Sequence, residues 1–219
     1  MKPTTAIFDL DGVIVDTARF HYLAWKKVAT ALGFDLTHAQ NEALKGVSRV
    51  DSLQKIVTWS GTQITQAQFD RFLVEKNNDY LHYIEALTPE DALPGVRWAL
   101  EELQSAGIRI ALGSASKNAR KILDQLVLTQ YFDTIVDGND TQASKPNPEV
   151  FLKGAAALRV DPQNCVVFED AQAGIEAAIA AMMKPIGIGD ATVLDRAAHS
   201  IPGFSSLTAV QLLNFFNKE

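Results

Sequence analysis

The order of apolar and polar positions divides the chain into two kinds of segment. Short apolar runs of strand length lie at Thr5–Phe8, Arg109–Gly113, Thr134–Val136, 166–168 and 185–188. Between several of them the spacing becomes helical: Val96, Ala99, Leu100 and Leu103 share one face, as do Ile122, Leu123 and Leu126. Asn147-Pro148 ahead of Phe151 reads as an N-cap with proline at the first helical position. Strands alternating with helices in this way predict a Rossmann-like parallel α/β sheet with helices on both faces.

Residues 17–87 break the alternation, because no strand pattern is visible there. Trp25, Val28, Ala29 and Leu32 form one helical stripe, and Leu53, Ile56 and Val57 another. Thr65-x-x-Gln68 has the form of a capping box, followed by a stripe of Phe69, Phe72, Leu73, Tyr80 and Ile84. About 70 residues of helix thus separate the first strand from the next, far more than an ordinary connection. The expected organisation is an α/β core of residues 1–16 and 88–219, with a helical cap of residues 17–87 inserted after strand one.

Composition narrows this picture without changing it. The 219 residues are 47% hydrophobic and 21% charged, enough apolar content for a sizeable core. The net charge is −6 and no Lys/Arg run offers a phosphate-tracking stripe, which argues against nucleic acid as a partner. The single cysteine, Cys165, sits in the apolar run Cys165-Val166-Val167-Phe168 and is expected to be a buried core thiol. No basic segment followed by a long apolar stretch opens the chain, and no apolar run is long enough to span a bilayer. A cytoplasmic protein with no membrane partner is expected.

The candidate chemistry lies at the strand ends. Ile7-Phe8 runs directly into Asp9-Leu10-Asp11-Gly12, and ligands of parallel sheets bind at the carboxyl ends of strands. One carboxylate there can attack phosphorus, and the other can give or take the proton of the alcohol. Gly12 permits the tight turn that lets both acids face one ligand. Taken alone, Asp-x-Asp is equally a solvated acidic turn. Ser114 follows the second strand and can donate to a phosphoryl oxygen, though alone it reads as a turn serine. Lys145 can offset charge on a transferring phosphoryl group, though alone it reads as a loop lysine. Glu169 and Asp170 end an apolar strand. Adjacent acids there are costly unless paired, so a bound cation is the natural explanation, with magnesium fitting oxygen ligands best; an N-cap role for Asp170 is the alternative.

With Asp9-x-Asp11-Gly12, Ser114, Lys145 and Glu169-Asp170 in this order, plus a helical cap after strand one, the chain resembles the haloacid dehalogenase superfamily over essentially its whole length. The cap carries further candidates. Leu44-Lys45-Gly46-Val47-Ser48-Arg49 reads as an interhelical turn, with Gly46 able to end one helix and Ser48 to begin the next. Lys76 lies on the apolar stripe of its helix, where it either snorkels or points into the cleft. His21 and Trp25 lie one turn apart, and on spacing alone are more ordinary than functional. Together with Asp16-Thr17-Ala18, Lys76-Asn77 and Ser114-Ala115-Ser116-Lys117-Asn118, these residues resemble the β-phosphoglucomutase family within that superfamily.

That resemblance implies an enzyme, a magnesium-dependent isomerase, that interconverts β-glucose 1-phosphate and glucose 6-phosphate through β-glucose 1,6-bisphosphate. Asp9 would be the nucleophile, carrying the phosphoryl group, and a metal ligand. Asp11 would be the general acid/base, with its backbone carbonyl on the metal, and Glu169 and Asp170 would complete the metal site. Ser114 and Lys145 would orient and neutralise the transferring phosphoryl group. Arg49, Ser116, Lys117 and Asn118 would hold the second phosphate. Thr17, His21, Trp25, Lys45, Gly46, Val47, Ser48, Lys76 and Ala115 would contact the sugar phosphate or couple its binding to cap closure. The small-molecule partners implied are sugar phosphates, and a monomer is expected. Two departures stand out: Gly113 where related sequences often have alanine, and Asn147 after Pro146. A sugar-phosphate phosphatase of the same superfamily and a non-catalytic sugar-phosphate-binding protein remain the alternatives. Lys145–Pro146 is a candidate cis bond.

Overall fold

The computed structural model describes residues 4–217. Its centre is a six-stranded sheet: β1 (Thr5–Phe8), β2 (Arg109–Gly113), β3 (Thr134–Val136), β4 (Cys165–Glu169), β5 (Lys184–Ile188) and β6 (His199–Ile201). All neighbours are parallel, in the order β3-β2-β1-β4-β5-β6. The first five strands fall where the apolar runs predict them, with β4 and β5 extended by a residue or two. β6 was not expected; three residues reading His-Ser-Ile have no apolar run, and the strand exists because it pairs with β5. Helices α1 (Ala18–Ala31), α2 (His38–Glu42), α3 (Arg49–Ser60) and α4 (Gln66–Ile84) follow β1, and α5 (Val96–Ser105) and α6 (Ala119–Gln125) flank β2. α7 (Glu149–Ala157), α8 (Gln172–Ala180) and α9 (Ala209–Asn214) complete the chain.

Strand alternation sends side chains to opposite faces, so each strand feeds two cores. Ala6, Phe8, Ile110, Leu112, Val166 and Phe168 pack on one face with Val96, Leu100 and Ile122. Ile7, Ala111, Cys165 and Val167 pack on the other with Phe151 and Ala178. Burial on both faces is why these strands read as continuous apolar runs rather than as alternation. Cys165 is free and fully buried in the second core, and burial pushes its thiol up to about 12.

The helices between β1 and β2 have a core of their own. Trp25, Val28, Ala29, Leu32, Leu53, Ile56 and Phe72 form a cluster separate from both sheet cores. Thr65 and Gln68 cap α4 reciprocally, an arrangement worth about 1 kcal/mol. Ser48 caps α3 by accepting from the Asp51 N–H. The expected cap of α7 is displaced by one residue: Pro148 takes the N-cap position, and Asn147 instead accepts from the Glu149 N–H through its side chain. The Lys145–Pro146 bond is cis. Among the described residues no helix is long and apolar enough to cross a membrane.

Candidate active site

The strand order reverses between β1 and β4, which makes their carboxyl ends the floor of a crevice. Phe8 is in register with Phe168 and Leu112. Asp9 therefore emerges beside Glu169 and Asp170, with Ser114 two residues past Leu112 on the other side. The Asp9 N–H donates to the Phe168 carbonyl at 3.0 Å, tying the two strand ends together. Carboxylate oxygens of Asp9, Glu169 and Asp170 lie within 4.8 Å of one another. The Asp11 carboxylate turns away from this group. Gly12 at φ +78° makes the turn, and a Cβ there would lie 2.1 Å from Asp170 Oδ2. A side chain at position 12 would thus displace a member of the acidic group.

Three converging acids need positive charge. Lys145 supplies one, buried and donating to both Asp9 Oδ1 and Glu169 Oε2, the latter at 2.9 Å. Burial lowers its pKa, but the two carboxylates more than offset this and raise it above the usual lysine range. Burial and the Asp9 charge push Glu169 well above the usual carboxylate range, with Lys145 opposing. The same two causes raise Asp170 to about 7, although Lys45 Nζ lies 3.5 Å from it. One lysine and a more distant second do not neutralise three carboxylates. An all-oxygen donor set short of positive charge is what a hard divalent cation takes.

Asp11 has a different setting. It accepts from the Thr17 hydroxyl, and His21 Nε2 lies 3.8 Å away. Burial, Asp9 and Asp170 raise it to about 8, so it carries a proton near neutral pH. His21 Nδ1 is 2.8 Å from Lys76 Nζ, whose buried ammonium also stands over the Trp25 and Tyr80 rings at 4.8 and 4.6 Å. Lys76 therefore points into the cleft rather than snorkelling. Burial and Arg49 lower it to about 7. Burial, with Lys76 and Arg49, holds His21 well below the usual histidine range.

One cavity joins these groups. Asp9, Asp11, His21, Trp25, Lys45, Gly46, Val47, Arg49, Lys76, Asp170 and the run from Ser114 to Asn118 all line it. Lys145 and Glu169 lie beneath its floor, fully buried. Two other expected site residues do not line it either. Ser48 is committed to capping α3, and Thr17 is buried behind Asp11. Two polar lining residues were missed, Asn41 and Ser52, both buried. Ser52 precedes the apolar stripe residue Leu53 and lies one turn before Ile56, so the signal that singled out Lys76 was present there too. The helices after β1 are tied to the loops of the sheet by Ser144 Oγ donating to Asp51 of α3 at 2.5 Å and Asn118 Nδ2 donating to Asn77 of α4 at 3.0 Å.

Comparison with known proteins gives the same outline. A family model for haloacid dehalogenase-like hydrolases matches residues 6–188. A β-phosphoglucomutase of Bacillus subtilis is 45% identical over 185 residues, 84% of this chain and 82% of that one. A phosphorylated carbohydrates phosphatase of Thermotoga maritima is 32% identical over 182 residues, 82% of each chain. The crystal structure of a β-phosphoglucomutase from Clostridium difficile superposes with a TM-score of 0.94 at 40% identity, covering 98% of this chain and 97% of that one.

Proposed function

The chain belongs to the haloacid dehalogenase-like hydrolase family, and from that premise we propose that it is a β-phosphoglucomutase. It interconverts β-glucose 1-phosphate and glucose 6-phosphate through an aspartyl-phosphate enzyme and β-glucose 1,6-bisphosphate. Residues 17–87 act as a cap domain over a core of residues 1–16 and 88–219, in the cytoplasm. One observation carries the mutase reading: one cavity is lined both by the Asp9 and Asp11 carboxylates and by Arg49, Ser116, Lys117 and Asn118. A bisphosphate needs a phosphate grip away from the nucleophile. Burial lowers the Arg49 pKa with no carboxylate of the described residues offsetting it, which suits a guanidinium awaiting an anion.

The chain's own residues account for the steps. An Asp9 oxygen attacks phosphorus while the bond from phosphorus to the leaving oxygen breaks. Asp11, protonated, gives its proton to that oxygen. In the reverse half-reaction Asp11 takes a proton from a sugar hydroxyl as that oxygen attacks the phosphorus on Asp9. Lys145 and Ser114 donate to the phosphoryl oxygens during both transfers. A magnesium ion held by Asp9, Glu169 and Asp170, with the Asp11 carbonyl, would neutralise charge on the phosphoryl group. His21, Trp25, Lys45 and Lys76 align the sugar under the cap, and exclusion of water favours return of the phosphoryl group to a sugar.

The test is a coupled assay for glucose 6-phosphate, with the α and β anomers of glucose 1-phosphate side by side, magnesium and a trace of the bisphosphate. The β anomer alone should be converted. Phosphate and glucose without glucose 6-phosphate would instead establish the phosphatase reading, which the Thermotoga maritima relative favours.

A further inference from the structure

Tyr80 is a fully buried residue of α4, and neither the sequence motifs nor the chemistry above use its hydroxyl. Its ring packs on His21, centroids 4.2 Å apart, and beneath the Lys76 ammonium. The hydroxyl reaches past both and donates to Thr17 Oγ1 at 3.2 Å, with the Ser116 hydroxyl beside it. Thr17 occupies the N-cap position of α1 yet makes no cap bond, and its hydroxyl donates to Asp11 instead.

A threonine hydroxyl has one proton. If that proton points at Asp11, the buried oxygen still needs a donor, and Tyr80 is that donor. Burial and the nearby Asp11 charge hold the phenol well above the usual tyrosine range, so it keeps the proton it donates. Both bonds in the chain from Tyr80 through Thr17 to Asp11 therefore run in one direction. Without the tyrosine hydroxyl, Thr17 is free to turn and Asp11 loses a fixed partner.

We propose that Tyr80 is a positioning residue for Asp11, acting through the Thr17 hydroxyl, so that a cap-helix side chain holds the acid/base carboxyl in line with the leaving oxygen. This rests on the reading of Asp11 as the acid/base.

The test exploits leaving groups. Tyr80→Phe keeps the ring and its packing, so the variant should melt close to the parent. Misalignment of the acid should lower kcat on β-glucose 1-phosphate by about tenfold or more, with KM little changed. Release of 4-nitrophenol from 4-nitrophenyl phosphate, whose leaving group needs no proton, should fall far less. A merely structural loss would lower both alike. Thr17→Val should show the same selective loss, Thr17→Ser should retain activity, and Tyr80→Phe should add nothing to Thr17→Val. Equal losses on the two substrates, or additive losses in the double variant, would overturn the proposal. If the parent releases only phosphate and glucose, the mutase reading fails on its own. The comparison then still runs on hydrolysis, where Asp11 protonates the same sugar oxygen.

Discussion

Lys145 is buried yet charged because Asp9 and Glu169 replace the water it has lost. The same arrangement defines Asp9, which stands between this ammonium and the acidic group with one face to the cavity. Asp9→Asn keeps the side chain's shape and removes one of three crowded negative charges, so the fold should hold. The amide is no nucleophile, and turnover should fall by a factor on the order of 10^4 or more. Intact-mass measurement after incubation with the bisphosphate should show no phosphoenzyme; a phosphorylated variant would remove Asp9 as the acceptor. At this scale the sequence was most legible where a charged residue ended an apolar strand, as for Asp9, Glu169 and Asp170, or interrupted a helical apolar stripe, as for Lys76. It was least legible for neutral polar residues. Asn41 looks like any helix-surface residue until packing buries it, Ser52 shares a stripe with Ile56 but is too small and neutral to stand out there as Lys76 does, and the Ser48 hydroxyl is taken up by the Asp51 N–H.

Elements place these residues, and small changes of element packing should be felt at the site. Gly113 ends β2, and a Cβ there would meet Phe151 Cδ1 at 2.8 Å and Ile7 Cγ2 at 3.3 Å. Phe151 of α7 also lies under the Lys145 ammonium, 4.7 Å from its ring centroid. The departure from alanine at position 113 thus has a physical reason in this chain, since the aromatic ring occupies the space a methyl group would take. Gly113→Ala should destabilise by about 1–3 kcal/mol in denaturant unfolding. Adding Phe151→Leu should recover part of that loss, and full additivity of the two would show that they do not share the space. The helical and strand periods were readable because each element buries a regular stripe. The three-residue β6 and the one-residue shift of the α7 cap were not, since pairing with β5 and the local turn decide them.

For the whole molecule, the acidic group makes stability depend on pH and metal together. Asp11 and Asp170 titrate near 8 and 7, and Glu169 is also raised. An acid with a raised pKa binds its proton more tightly in the folded chain, so its contribution is complete below the unfolded pKa and is lost as pH rises through the folded one. His21, held neutral by burial, acts in the opposite sense below its ordinary pKa and offsets one of the three. The melting temperature of the metal-free protein should therefore fall between about pH 5 and pH 7. Magnesium, which binds the deprotonated acids, should raise it most at the upper end. A metal-free melting temperature that climbs across this window would contradict the charge crowding. The sequence by itself determined the parallel α/β core, the helical insertion and the strand-end acids, because these follow from local periodicity and from residues placed where apolar runs stop. Only the tertiary structure decided how the charges divide. Strand register puts Asp9, Glu169 and Asp170 together, while Gly12 turns Asp11 toward Thr17 and His21. Distances between residues far apart in sequence, and the water excluded from between them, set those pKa values, and no local pattern encodes either.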